Sequence, residues 1–231
     1  MKLKPVVVLF FLAFISYSVQ AQKKPSAILR AGVNLANVSI TNDGRFDEAN
    51  TLTSFQFGLL ADIHVVPAFS IQTGVIYSGK GSKTQHGDPE TDLTYYKATS
   101  NPYYIEIPLN FVVKTPGVNK FFLGAGPYLA IGVDGKNKVE GQILGTYFKN
   151  EEAIQFSDDD PTTLDYEEGA GFGIMKRVDY GFNFSAGVET KMVIVSGQFG
   201  LGLAKLQSGS NSSADDRNKH RVISFTLGFK L

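Results

Sequence analysis

The chain contains no cysteine. Disulfides, thiolate metal sites and a lipid-modified N-terminal cysteine are therefore excluded together. Histidine is scarce, with three in 231 residues, which leaves few candidates for a hydrolytic triad. Beyond the N-terminus no segment reaches 18 consecutive apolar residues, so no transmembrane helix is expected. Basic and acidic residues balance at 22 each, and nothing in that balance points to a nucleic-acid partner. Helix-period patterns are rare.

What is present begins with an export signal. Lys2 and Lys4 precede an uncharged apolar run over 6–15, and Ser18-Val19-Gln20-Ala21 follows with small residues at the positions a signal peptidase reads. The run is too short to span a bilayer as a helix, which takes about 20 residues. Cleavage is expected after Ala21. Residues 22–231 then form one all-β domain with 20 basic and 22 acidic residues.

The rest of the chain alternates with period 2, which marks strands with two different faces. At 103–113, Tyr103, Ile105, Ile107, Leu109, Phe111 and Val113 oppose Tyr104, Glu106, Pro108 and Asn110. At the C-terminus Ile223, Phe225, Leu227, Phe229 and Leu231 oppose Ser224, Thr226, Gly228 and Lys230. Eight such segments are read, at 27–38, 54–65, 69–80, 102–115, 119–134, 177–191, 192–206 and 219–231, and none carries a charge on its apolar face. The opposite faces hold Arg30, Asn34, Gln56, Asp62, Gln72, Glu106, Asn183, Glu189, Gln198 and Lys230 among many glycines. Apolar-out and polar-in suits a closed barrel whose outer solvent is lipid. A soluble lipocalin-like barrel would need the reverse. The expected fold is a transmembrane antiparallel up-and-down β-barrel of eight strands, in contact with outer-membrane lipid.

Connections alternate in length. Short ones fall near Val66-Pro67, Thr115-Pro116-Gly117-Val118 and Lys191-Met192; long ones cover 39–53, 81–101, 135–176 and 207–218. This is the outer-membrane pattern, with short turns and both termini in the periplasm and long loops outside. The long links hold loop chemistry such as Asn42-Asp43-Gly44, Gly87-Asp88-Pro89 and 209–213. Residues 135–176 are long for a structureless loop. Val139, Gly141, Ile143 and Gly145 alternate there with more polar neighbours, so the link is expected either to extend the strands above the membrane or to add a hairpin, and ten strands is the alternative count. Pro108 and Pro127 fall inside strands and cannot donate ladder bonds, so a bulge or a broken pair is expected at each.

Several motifs resemble a family of Bacteroidota barrels labelled porin-family or outer-membrane β-barrel domain proteins. They are Tyr104-Ile105-Glu106-Ile107-Pro108-Leu109, Leu123-Gly124-Ala125-Gly126-Pro127-Tyr128 and Lys176-Arg177-Val178-Asp179-Tyr180-Gly181. The resemblance spans the mature chain and implies the fold without assigning an activity. The Phe229-Lys230-Leu231 ending is similar to terminal strands read by the barrel-assembly machinery, which makes that machinery an expected partner.

An eight-stranded barrel has a lumen that side chains fill, and Arg30, Tyr104, Phe122 and Tyr128 point into it by parity. No wide channel is expected. Arg30, Asp62, Glu189 and Lys230 are expected to form a periplasmic-side ionic cluster that fills the lumen with compensated charge; a proton or small-ion path is the alternative. Catalysis would rest on His220, near Ser208, Ser210 and Asp215-Asp216, but a solvated histidine at a strand rim is the plainer reading, and His64 and His86 fit an enzyme no better. Ser157-Asp158-Asp159-Asp160-Pro161 lacks the spacing of a calcium loop. It reads as a solvated acidic loop, with cation bridging to lipopolysaccharide as the alternative. No cofactor is expected. Three roles follow: a non-enzymatic barrel for envelope structure or surface-loop interaction, a transport- or secretion-associated accessory barrel with an external or periplasmic partner, and a lipid-modifying enzyme.

Overall fold

Alternation in the sequence becomes alternation of exposure along the chain. On residues 103–113 every odd side chain is exposed or half-exposed and every even one is buried. The computed structural model describes residues 25–38, 51–87, 91–156, 174–204, 206 and 219–231. The expected signal at 1–21, the loop motifs at 42–44, 88–89 and 209–213 and the acidic run at 157–161 lie outside them. Every regular element among the described residues is a strand. In order they are β1 (Ser26–Val38), β2 (Leu52–Val66), β3 (Phe69–Gly79), β4 (Ser82–His86), β5 (Tyr95–Lys114), β6 (Lys120–Ile143), β7 (Thr146–Ala153), β8 (Gln155–Phe156), β9 (Ile174–Met175), β10 (Val178–Glu189), β11 (Val193–Gly202) and β12 (His220–Lys230).

Eight of these close a ring in the order β1-β2-β3-β5-β6-β10-β11-β12, and β12 pairs back onto β1 from Ile28↔Lys230 to Val38↔His220. All ring pairings are antiparallel. Closure leaves the ring no unpaired edge, which is the only way a sheet can sit in hydrocarbon. The outward side chains include Leu29, Val33, Phe57, Leu109, Leu129, Phe184, Val195 and Phe225, all exposed. Aromatic residues mark both borders of this belt: Phe55, Phe57, Tyr77 and Tyr103 lie in contact near one end, and Phe69 stacks on Phe111 near the other. Phe225 stands mid-strand in β12. Phe225→Arg is expected to lower stability in lipid vesicles by about 2–4 kcal/mol, read from the urea midpoint, with Phe225→Leu close to wild type.

The tight turns between ring strands gather at one end. The β10–β11 turn is closed by Thr190, whose backbone N–H donates to the Val193 carbonyl at 2.8 Å while its Oγ1 accepts from the Val193 N–H at 3.0 Å. The β5–β6 turn is closed by Thr115 N–H to the Phe121 carbonyl at 2.9 Å.

At the opposite end the sheet continues past the ring on one side only. β4 keeps the register of β3 against β5, and β7 adds to the far edge of the upper part of β6. A four-stranded sheet, β4-β5-β6-β7, therefore stands above the ring with β4 and β7 as its edges. The link at 135–176 thus does carry a hairpin, but the hairpin extends the sheet upward and leaves the ring at eight strands. The neighbouring link at 81–101, expected as a loop, likewise supplies β4 and the start of β5.

Neither proline introduces a bulge. The β5–β6 ladder lapses at Leu109-Asn110, opposite Gly126-Pro127, and resumes in the same register; the β3–β5 ladder lapses beside Pro108 in the same way. The strands run close at the first lapse: a Cβ on Gly126 would lie 1.9 Å from the Leu109 carbonyl oxygen. The real shift in β5–β6 register comes higher, between Tyr103 and Tyr104, where β6 carries an extra residue.

Candidate functional site in the barrel lumen

Inward side chains fill the lumen in layers. At the short-turn end Asp62 on β2, Lys114 at the end of β5, Glu189 at the end of β10 and Lys230 at the end of β12 form one network. Lys114 Nζ lies 2.5 Å from Asp62 Oδ2 and 2.8 Å from Glu189 Oε2. Lys230 completes the network by pairing with Glu189. Gln72 donates to Asp62 Oδ1 at 3.3 Å, and His64 Nε2 stands 3.5 Å from Asp62 Oδ2. Asp62, Glu189 and Lys114 are buried, and burial of charge demands such compensation.

Three of the four residues expected at this cluster, Asp62, Glu189 and Lys230, thus meet here. Arg30 does not. Ile28 pairs with Lys230, and Arg30 is two residues further from the short turns, where it donates to Gln198 Oε1. The residue that joins the two carboxylates is Lys114, which the sequence reading passed over at a strand end. Parity could have found it, because it continues the inward even positions Glu106 and Asn110.

Above this network lies an apolar layer of Ile28, Leu60, Ile76, Val112, Phe122 and Ile194. Higher again is a second ionic network that the sequence reading did not assemble. Lys80 Nζ sits 2.7 Å from Glu106 Oε2 and 3.0 Å from Asp179 Oδ2, and 3.9 Å from the centre of the Tyr128 ring. Tyr128 OH donates to Asp179 Oδ2 at 3.0 Å, and Asn183 donates to Glu106 Oε1 at 2.8 Å. Arg30 lies within electrostatic reach of Glu106. Arg30, Lys80, Lys114 and Lys230 thus share the lumen with Asp62, Glu106, Asp179 and Glu189, so each buried carboxylate has a cation beside it.

An apolar cap covers the second network. Val38, Ile154, Met175 and Leu206 cluster there with Phe156, and the Phe156 ring meets Tyr104 edge-on at 5.7 Å. Short backbone bonds hold the cap down, including Gly132 N–H to the Arg177 carbonyl at 2.7 Å and Ile154 N–H to the Gly135 carbonyl at 2.9 Å. His220, expected as a solvated rim residue, is buried beneath this cap. Its Nε2 is 3.3 Å from Tyr104 OH, and the two rings meet edge-on at 5.3 Å. The strand rim is overlaid here by the segments around β8 and β9, which nothing in the local pattern announced. Ser208, Ser210, Asp215 and Asp216 lie outside the described residues, as does the side chain of His86.

Asp62, His64 and Glu189 offer ligand atoms within 4.8 Å of one another. The Lys114 ammonium already stands between the two carboxylates, so the positive charge a metal ion would bring is in place.

The sheet above the ring carries a different chemistry. On its outward face Lys138 pairs with Glu140 at 2.7 Å, Lys97 with Glu140 at 3.3 Å and Lys136 with Glu151 at 2.8 Å. Lys138 holds the Glu140 carboxyl below the usual carboxylate range, and Lys136 does the same to Glu151.

No match is found among curated proteins. Among solved structures the chain is similar to Ail of Yersinia pestis, with 12% identity, 90% of this chain and 100% of that chain covered and a TM-score of 0.40. It is similar to Neisserial surface protein A at 11% identity, with 89% and 96% covered and a TM-score of 0.39. OprG from Pseudomonas aeruginosa gives 14% identity, 92% and 99% covered and a TM-score of 0.38. The sequence profile of the outer membrane protein beta-barrel domain matches residues 20–208. A closed eight-stranded ring, an apolar outer belt and that match over most of the sequence agree: the chain belongs to the outer membrane protein β-barrel domain family and resides in a bacterial outer membrane.

Proposed function

We propose that this protein is a non-enzymatic barrel with a closed lumen that presents a rigid sheet, β4-β5-β6-β7, at the cell surface. Residues 1–21 direct its export, the barrel-assembly machinery inserts it, both termini and the short turns face the periplasm, and the long-loop end faces outward among lipopolysaccharide. The observation that carries this reading is the filling of the lumen. Two compensated ionic networks, Asp62-Lys114-Glu189-Lys230 and Lys80-Glu106-Asp179, are separated by the apolar layer around Phe122, and the upper one is covered by Phe156 and its neighbours. Paired buried charges serve to fill the interior, and they offer a passing ion no free site. An enzymatic reading finds no support at His220, whose ring is packed against Tyr104 under the cap, away from any lipid substrate.

Planar-bilayer recording from the purified barrel is the direct test. The expected trace shows no stable unitary steps. Reproducible steps that disappear in Asp62→Asn would replace the closed barrel with an ion path through the lower network.

A further inference from the structure

The turn of the β6–β7 hairpin carries a residue that the turn itself does not call for. Ile143 pairs with Thr146, leaving Leu144 and Gly145 as a two-residue turn with φ of 48° and 85°. Positive φ at both positions is a type I′ turn, which favours Asn, Asp or Gly at the first. Leucine there strains the backbone. Leu144 is the one non-glycine residue at positive φ among the described residues, and it is 82% exposed. Neither turn chemistry nor packing accounts for an apolar side chain at that point.

Its surroundings are ordered along the arm. Ile143 at the turn and Leu93, two residues before Tyr95, are exposed as well. The next row toward the barrel aligns Tyr95, Gln142 and Tyr147, and the row beside it aligns Tyr96, Gly141 and Phe148. The following row aligns Lys97, Glu140 and Lys149, and Lys138 pairs with the same Glu140. Apolar tip, aromatic rows, then lysines is the order of hydrocarbon, interface and headgroup across one leaflet. Across this row and that of Lys138, Lys97, Lys138 and Lys149 stand against Glu140 and Glu151, an excess of one positive charge at the headgroup level. A protein socket asks for a polar rim around its apolar centre and for no such depth order. From Asp134 to Ile143 the arm extends about 30 Å, enough to carry the tip well clear of the ring.

We propose that this tip docks onto the phospholipid surface of an apposed membrane, with Leu144 entering the acyl region, the tyrosines at the interface and Lys97, Lys138 and Lys149 at the headgroups. The proposal rests on the outward orientation of the long-loop end given above.

The chain has no tryptophan, so Leu144→Trp in the full-length barrel, held in lipid nanodiscs, supplies a single indole at the tip. Phosphatidylcholine vesicles containing phosphatidylglycerol with brominated acyl chains are expected to shift its emission to shorter wavelength and quench most of it. Leu144→Asn, which suits the turn, is expected to keep the barrel's heat-shifted gel migration while weakening co-flotation with unbrominated vesicles about tenfold or more. Emission unmoved by vesicles, or an Asn variant that floats like wild type, overturns the proposal. Emission moved only by an added protein also overturns it, in favour of a protein socket. Orientation is read separately. The chain has no cysteine, so Leu144→Cys labelled in whole cells by an impermeant maleimide reports the outer face, and absence of labelling in assembled barrel sinks the orientation whatever the nanodisc result.

Discussion

Lys114→Met is expected to destabilise the folded barrel by about 3–5 kcal/mol. The Lys114 ammonium lies between Asp62 and Glu189, and all three groups are buried. Methionine keeps the length and loses the charge, so two carboxylates face each other without their shared counter-ion. Lys230 still pairs with Glu189, but it is 17% exposed and, among the described contacts, makes no bond to Asp62. Urea titration in lipid vesicles, followed by circular dichroism, measures the loss. The mechanism is tested by the triple variant Asp62→Asn, Lys114→Met, Glu189→Gln. Removing all three charges together is expected to recover most of the stability, because a buried ionic group replaced as a whole is often close to neutral. A triple variant as unstable as Lys114→Met would mean that Lys114 acts through its packing.

Lys80→Met is the second large effect, again about 3–5 kcal/mol. Lys80 holds Glu106 and Asp179 at once and lies over the Tyr128 ring. Its loss frees two buried carboxylates directly under the apolar cap. Asp179→Asn in the same chain is expected to restore part of the loss, because an amide oxygen can still accept from Tyr128 OH. The two lysines belong to networks separated by the layer of Ile28, Leu60, Ile76, Val112, Phe122 and Ile194. The double variant Lys80→Met, Lys114→Met is therefore expected to lose the sum of the single losses within about 0.5 kcal/mol. A larger discrepancy would show that the lumen responds as one electrostatic unit.

The ring was legible because lipid makes strict demands on every second residue. Positions such as Ile105, Leu109, Phe182, Phe225 and Leu227 could only be apolar, and their spacing located all eight strands. The pattern fails where the lipid ends. Above Tyr103 the outward positions become Asn101, Lys97, Lys136 and Lys138, because their solvent is water, and the extra residue near Val133 reverses the inward parity of β6. With contrast and phase both lost, β4 and the start of β5 read as a loop, whereas at 135–176 the alternation of Val139, Gly141, Ile143 and Gly145 already points to extended strands or a hairpin. In the lumen, parity placed Asp62 and Glu189 inward, but height needed register: Arg30 faces Gly58 and Gly228, above the level of Lys230. His220 was misjudged because its cover comes from Ile154, Phe156 and Met175, which are distant in sequence.

The seam between β1 and β12 sets the order of events during biogenesis. Ile28 meets Lys230 and Val38 meets His220, so the first strand of the ring is completed only by the last. Until then both strands carry unsatisfied N–H and C=O groups that hydrocarbon will not tolerate. A partly made barrel thus has no comfortable resting place in the bilayer, and closing so long a loop is slow without help. The arrival of β12 is therefore a checkpoint. Chains that stop short of it remain open-edged substrates for quality control, and an assembly factor that shelters β1 by temporarily pairing with it would remove the largest kinetic obstacle this topology presents.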